Sequence, residues 1–192
     1  MIIRRYFRLL LLILVYEISP FYATAGKYVV DNYNLMDELS LPGSVWAMTQ
    51  DTNGILFFAS DNGIICYDGT DWMNIPHNNG AVRALYRSRT GQIYHGAVND
   101  FGIISHDIHQ AYCLNSFSDS LSNDGLNCGD IWSICETDQG VFFQSDKKLF
   151  LKSNDKLSIV NIKDSYHRGF VYMGQYYLNQ KGVGLTQFDG KG

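Results

Sequence analysis

Short apolar runs alternate with clusters of Asp, Asn and Gly from residue 45 onward. The first three runs are residues 45–49, 55–59 and 64–67, and residues 51–54 and 61–63 separate them. The runs are rich in β-branched and aromatic side chains, which favour strands. Asp and Asn bond to their own backbone and Gly accepts a positive φ, so each separator is expected to reverse the chain. The pattern predicts a small antiparallel meander.

The meander recurs along the chain. A second copy uses residues 82–86 and 93–96, which lie 37 residues after their counterparts, and a third uses residues 131–135 and 141–145. A looser fourth copy lies within residues 170–190. Repeats of roughly 40 residues with about four strands each are typical of β-propeller blades.

We therefore predict an all-β fold, a partial β-propeller of about four blades built from four-stranded antiparallel sheets. The incomplete propeller is expected at residues 26–192, with blades at approximately residues 45–78, 82–114, 131–162 and 167–192. No stretch of 11 or more residues has the apolar period of an amphipathic helix. Residues 35–39 could form a helical turn, and residues 28–33 are the candidate for a strand that would close the last blade of a complete ring.

The first copy resembles the two-component regulator propeller repeat. The residues that carry the resemblance are Thr49, Gln50, Asp51, Gly54, Phe57, Phe58, Ala59, Asn62, Gly63, Ile64, Tyr67, Asp68, Gly69 and Trp72. Residues 83–102 of the second copy are similar to a branch of that family with a triple-tyrosine module after the propeller. The resemblance is good over residues 45–145 and weaker beyond them.

The resemblance implies an extracytoplasmic sensor region of a bacterial signalling protein of the Bacteroidetes type. It implies an output domain outside this chain, either a LuxR-type helix-turn-helix or a histidine kinase. It also implies that the full-length relative is a homodimer anchored in the inner membrane, through a C-terminal helix that this chain lacks. Since residues 188–192 stop where the first copy runs on to Trp72, we expect the chain to be an N-terminal fragment.

The first 25 residues have the order of a secretory signal peptide. Three Arg residues precede an unbroken apolar run at residues 9–15 and a small-residue cleavage motif at residues 23–25. Seven apolar residues are short for a membrane span of about 20, so cleavage is favoured over retention as an anchor. We expect export to the periplasm.

Cleavage would leave an acidic protein. Removing three Arg and one Glu from the 15 basic and 19 acidic residues leaves 12 and 18, a formal charge of −6. A surface of this sign repels phosphate backbones, so direct nucleic-acid binding by this segment is not expected.

Two motifs suggest chemistry that other residues do not support. Asp100, Phe101 and Gly102 spell the magnesium-binding tripeptide of protein kinases, but the glycine-rich and His-Arg-Asp loops are missing. A turn inside a blade is the better interpretation.

A second motif contains His106, Asp107 and His109. These side chains could share a metal only if the segment turns, and further ligands are missing. Surface polar residues at a strand end are therefore favoured over a metal site. The other histidines, at positions 77, 95 and 167, show no linking spacing.

The four cysteines leave open whether the protein contains a disulfide. Cys113 and Cys128 bracket a Ser- and Asn-rich segment, residues 115–129, which we interpret as an exposed loop, and they are the first pair to test for a disulfide. Cys66 and Cys135 lie in apolar strands and are interpreted as small core residues.

Tryptophans recur at blade-like places, at Trp46, Trp72 and Trp132. A carbohydrate-binding protein would expose them on one face, whereas a stacked core would bury them. Because Trp46 and Trp132 occupy equivalent positions in the repeat, core packing is favoured.

Together these features predict a non-catalytic sensing or docking module with no cofactor. Its partner is an unknown small molecule or glycan, with no catalytic, metal or ligand-binding residue assigned. An exported carbohydrate-active enzyme and an adhesion module remain as alternatives, although the acidic residues lie mainly in turns and do not form catalytic pairs.

Overall fold

The computed structural model describes residues 32–109, 111–121, 127–146, 148–154, 156–162 and 168–188. The chain divides into two compact units, residues 1–33 and 34–192, and every strand in the described part lies in the second. The signal peptide predicted at residues 1–25 and most of the strand predicted at residues 28–33 lie outside the described residues. A short helix, α1 (Leu35–Leu39), forms where a helical turn was predicted. No helix in the described part is long and apolar enough to span a bilayer.

The first sheet is an antiparallel meander of four consecutive strands. They are β1 (Val45–Gln50), β2 (Leu56–Ser60), β3 (Gly63–Tyr67) and β4 (Trp72–Pro76). In the first turn, the Asp51 carboxylate accepts the backbone N–H groups of Asn53 and Ile55. At the second turn Gly63 has a φ of +123°, and a Cβ there would lie 2.3 Å from the carbonyl oxygen of Ile75. Glycine is therefore required at this turn by both its φ and its surroundings.

The second and third sheets repeat this topology. The second comprises β5 (Val82–Arg87), β6 (Ile93–Ala97), β7 (Asp100–His106) and β8 (Tyr112–Ser116). A 3₁₀ turn at Ser118–Ser120 follows β8. The third comprises β9 (Ser133–Thr137), β10 (Gly140–Gln144), β11 (Lys148–Ser153) and β12 (Lys156–Asn161).

The fourth sheet has three strands among the described residues. They are β13 (Phe170–Tyr172), β14 (Gln175–Gln180) and β15 (Gly184–Phe188), paired in that order.

The sheets stack on one another through three buried clusters. Phe57, Ile64 and Val82 belong to the cluster between the first and second sheets, and Phe101 and Phe143 to the cluster between the second and third. A smaller cluster joins the third and fourth sheets. The first strand of each sheet contacts the first strand of the next, from β1 to β5, β9 and β13. Consecutive meanders stacked with their first strands together form a partial β-propeller, which confirms the predicted fold class.

Two local predictions differ from the structure. The segment at residues 115–129 is not wholly an exposed loop, because β8 continues to Ser116 and Cys128 is buried in the second cluster. Asp100-Phe101-Gly102 is not a turn but the start of β7. The reversal comes one residue earlier, at Asn99, which has a φ of +53°. Asn tolerates this left-handed conformation better than most residues, so the turn could not be located from glycine positions alone.

Candidate ligand site on the inner strands

A bulge interrupts the innermost strand of the first two sheets at equivalent positions. Pairing between β1 and β2 shifts register between Val45 and Ala47, and pairing between β5 and β6 shifts between Val82 and Ala84. The extra residues are Trp46 and Arg83. A bulge takes a residue out of the regular alternation and redirects its side chain.

The residue at the same repeat position in the third sheet is Trp132, directly before β9. Its backbone N–H donates to the carbonyl oxygen of Gln144 on β10. The fold therefore brings three side chains from three consecutive sheets to one place, and we call Trp46, Arg83 and Trp132 the inner cluster.

Arg83 lies against both indoles of the inner cluster. Its guanidinium carbon is 4.1 Å from the centre of the Trp46 ring and 5.1 Å from that of Trp132. The two rings meet edge to face, with centroids 6.3 Å apart. Cation–π contacts of this kind contribute about 0.5 to 2 kcal/mol each, depending on how dry they are. The cluster is thus a preorganised surface with a cation at its centre.

Two carboxylates flank this cation without forming hydrogen bonds to it. Asp61 and Asp130 approach Arg83 Nη1 and Nε at 3.7 and 3.8 Å. Both of these nitrogens are buried and have no hydrogen-bond partner among the described residues. Buried donors are nearly always satisfied in native proteins, so the guanidinium retains unused donor capacity.

Asp61 is committed to the neighbouring backbone and indole. It accepts the Ser44 N–H at 2.8 Å and the Trp46 Nε1–H at 2.7 Å. These two hydrogen bonds, with a smaller contribution from the Arg83 charge, hold the pKa of Asp61 below its ordinary value despite a slight desolvation. The carboxylate stays ionised and orients the exposed indole of Trp46.

The tryptophans do not pack in the core, which corrects the interpretation from the sequence. Trp46 is 41% exposed, and no buried cluster of the described residues includes Trp46, Trp72 or Trp132. Trp72 instead stacks on Tyr67 with ring centres 4.4 Å apart. The inference of core packing from the equivalence of Trp46 and Trp132 is wrong, and Arg83 at the third equivalent position was missed. The bulge, which changes the face that these residues occupy, is not visible in the sequence.

The other candidate residues form no chemical site. His106 is the exposed last residue of β7, and the Asp107 carboxylate accepts the N–H groups of His109 and Ala111, so this segment is a surface turn as favoured. No group of metal-binding side chains is found within the described ranges.

The four cysteines are all free thiols, so the bridge between Cys113 and Cys128 is not formed. Cys66 is fully buried in the first cluster, as predicted, and burial raises its pKa to about 12. Cys135 is half-buried at the edge of the third cluster.

Known structures share this fold at low sequence identity. No family model matches the chain, and no curated protein does. The extracellular domain of BT3049 from B. thetaiotaomicron, assigned as a hybrid two-component system, matches 85% of this chain at 14% identity with a TM-score of 0.62. The extracellular domain of BT4673 from the same organism, also assigned as a hybrid two-component system, matches 77% at 15% identity with a TM-score of 0.56.

A streptogramin B lyase also has this fold, with 79% of the chain matched at 16% identity and a TM-score of 0.55. The chain spans about one fifth of the length of the two bacterial extracellular domains and 56% of the lyase. The propeller fold of two-component extracellular domains, expected from the resemblance at residues 49–72, is therefore confirmed.

Proposed function

We propose that this chain is part of an exported sensor domain and that it binds a small hydroxyl-rich ligand, such as a sugar, at the inner cluster. The observation that carries the proposal is the exposed indole of Trp46, with the guanidinium of Arg83 lying against both this indole and that of Trp132. Exposed indole offers a flat apolar face, while the guanidinium and Asp130 offer a donor and an acceptor beside it. A polar ring with an apolar face would use all three.

The same site argues against catalysis. An acid or base catalyst needs a carboxyl group whose pKa lies near the working pH, whereas the pKa of Asp61 is lowered by Ser44 and Trp46. The likeness to a lyase concerns the fold, and one fold hosts many activities. We therefore propose recognition without turnover.

We propose that ligand binding changes how two subunits of the full-length protein associate. This change would alter the activity of a cytoplasmic regulator. The signal-peptide pattern and the extracellular location of the matched BT3049 and BT4673 domains support a periplasmic site for this module. The regulator itself would lie outside this chain.

The proposal is tested by titrating the protein with a panel of oligosaccharides while following tryptophan fluorescence and heat of binding. We expect saturable binding of at least one glycan, weakened about tenfold or more by Trp46→Ala and by Arg83→Met, since loss of about 1.4 kcal/mol is tenfold in affinity. Trp72→Ala is the matched control, because Trp72 stacks on Tyr67 away from the cluster. Equal loss in the control would place the ligand elsewhere, and release of cleavage products would make the protein an enzyme.

A further inference from the structure

A buried ion pair joins the first sheet to the second. His77 directly follows β4, and its Nε2 lies 3.0 Å from Oδ2 of Asp100, the first residue of β7. Its Nδ1 lies 2.9 Å from the carbonyl oxygen of Gly80 in the loop that leads to β5. The His77 and Asp100 side chains are only 5% and 9% exposed.

The partners of this ring require it to carry two protons. The Gly80 carbonyl can only accept, so Nδ1 must donate. An ionised carboxylate can also only accept, so Nε2 must donate as well. Burial raises the pKa of Asp100, but hydrogen bonds from His77 and from the hydroxyls of Ser116 and Ser118 outweigh it and lower that pKa to about 2, so the carboxyl is ionised. His77 is therefore an imidazolium when it makes both of these hydrogen bonds.

Among the described residues, Asp100 is the one carboxylate within ion-pair distance of His77. His95 on β6 is fully buried, its ring centre lies 6.3 Å from that of His77, and neither of its nitrogens has a hydrogen-bond partner in the described part of the chain. Burial lowers the pKa of His95 to about 4, so this ring is neutral. His77 and Asp100 line a cleft with a volume of about 400 Å³. Tyr112, Cys113 and Asp119 line the same cleft.

We propose that His77 is a proton-dependent latch between the first two sheets, closing the 77–80 turn over this cleft while its ring is charged and releasing it when the ring is neutral. A neutral imidazole can donate from one nitrogen only. Loss of the proton therefore leaves either the Gly80 carbonyl or the Asp100 carboxylate without its donor, and a buried polar group without a partner is destabilising.

The pKa of His77 agrees with this assignment. Burial alone would lower it, but the hydrogen bond to Asp100, the bond to Gly80 and the charge of Asp100 together raise it above 6.5. A group whose pKa is raised on closing stabilises the closed state fully below its ordinary pKa. That contribution is lost as the pH rises through the raised value. The latch is thus closed in mildly acidic conditions and weakened in alkaline ones.

The test is an NMR titration of the histidine rings in the full chain, combined with amide hydrogen exchange. We expect both ring nitrogens of His77 to be protonated at pH 6 and the ring to titrate above 6.5. Protection of the Val98 amide, which donates to the Ala81 carbonyl at the end of this turn, should fall by up to tenfold per pH unit between 6.5 and the titration midpoint. A midpoint at or below 6.5, or a singly protonated ring at pH 6, would overturn the proposal.

A pair of variants separates the latch from general effects of pH. Asp100→Asn removes the charged acceptor, so the His77 midpoint should fall and the pH dependence of exchange at the Val98 amide should disappear. His109→Gln is the control, because His109 is exposed in the surface turn, and it should change neither. An unchanged His77 midpoint in Asp100→Asn contradicts the latch. If that variant does not fold, the titration of the unmodified chain decides alone.

Discussion

The two best-described junctions between sheets are built from different chemistry. The junction of the first and second sheets has a largely aliphatic core, with Ile64, Ile75 and Val82 fully or almost fully buried, and ends in the His77–Asp100 pair. The junction of the second and third sheets is aromatic. The rings of Phe101 and Phe150 lie 4.6 Å apart.

The ion pairs at the two junctions differ in how far they are buried. The His77–Asp100 pair of the first junction is buried, whereas at the second junction Arg89 reaches Glu136 at 3.5 Å and Asp138 at 2.9 Å with 62% of its side chain exposed. Exposed pairs contribute little because water screens them, while a buried pair is costly to break. We therefore expect the first junction to respond to protonation of His77 and the second to depend on its aromatic packing.

Two consecutive residues of β7 contribute to different junctions. Asp100 and Phe101 are consecutive on β7, and consecutive strand residues point to opposite faces of a sheet. Asp100 therefore meets His77 of the first sheet, while Phe101 packs against Phe143 of the third. The tripeptide that resembles a kinase motif is explained by this division between two faces.

The largest effect on stability is expected from truncating a buried Phe in the aromatic junction. Phe101→Ala should lower the free energy of unfolding by about 3–5 kcal/mol, the usual cost of truncating a fully buried Phe. Urea denaturation followed by circular dichroism measures the change. Phe170→Ala is the control, since Phe170 is 47% exposed, and it should cost much less. Equal costs would mean that the second junction does not depend on its aromatic packing.

A smaller effect is expected from pH, through the first junction. Between pH 4 and 6.5 the unfolded chain binds a proton at His95 that the folded chain does not, so stability rises with pH. Above 6.5 the folded chain holds the His77 proton more tightly, so stability falls with pH. Each limb has a slope of at most about 1.4 kcal/mol per pH unit.

Urea denaturation at pH 5, 6.5 and 8 checks this profile, which should have its maximum near 6.5. His77→Gln should remove the alkaline limb and leave the acidic one. A profile that keeps its alkaline limb in His77→Gln would show that another group controls the first junction.

The smallest effect is expected at the exposed ion pairs of the second junction. Arg89→Gln should leave the urea midpoint almost unchanged, because Arg89 is largely in solvent and its attraction to Glu136 and Asp138 is screened. Raising the salt concentration should remove any residual difference between this variant and the unmodified chain. A loss as large as that of Phe101→Ala would contradict the assignment of the second junction to packing.

Much of the fold could be read from local pattern. The strands β1, β2 and β3 lie within one residue of the runs predicted for them, since alternating apolar residues and the turn chemistry of Asp51 and Gly63 are local properties. The repeat at residues 82–96 then predicted a second sheet of the same kind. The turn at Asn99 was missed, because its left-handed residue is not glycine.

The sequence by itself determined that this protein is a series of similar antiparallel sheets, because strand periodicity, turn residues and repetition depend on neighbours along the chain. Only the tertiary structure decided which side chains meet. The bulges that bring Arg83 against Trp46 and Trp132, and the stacking that brings His77 to Asp100, join residues 23 to 86 positions apart. Such contacts depend on how one sheet packs on the next, which no local pattern encodes.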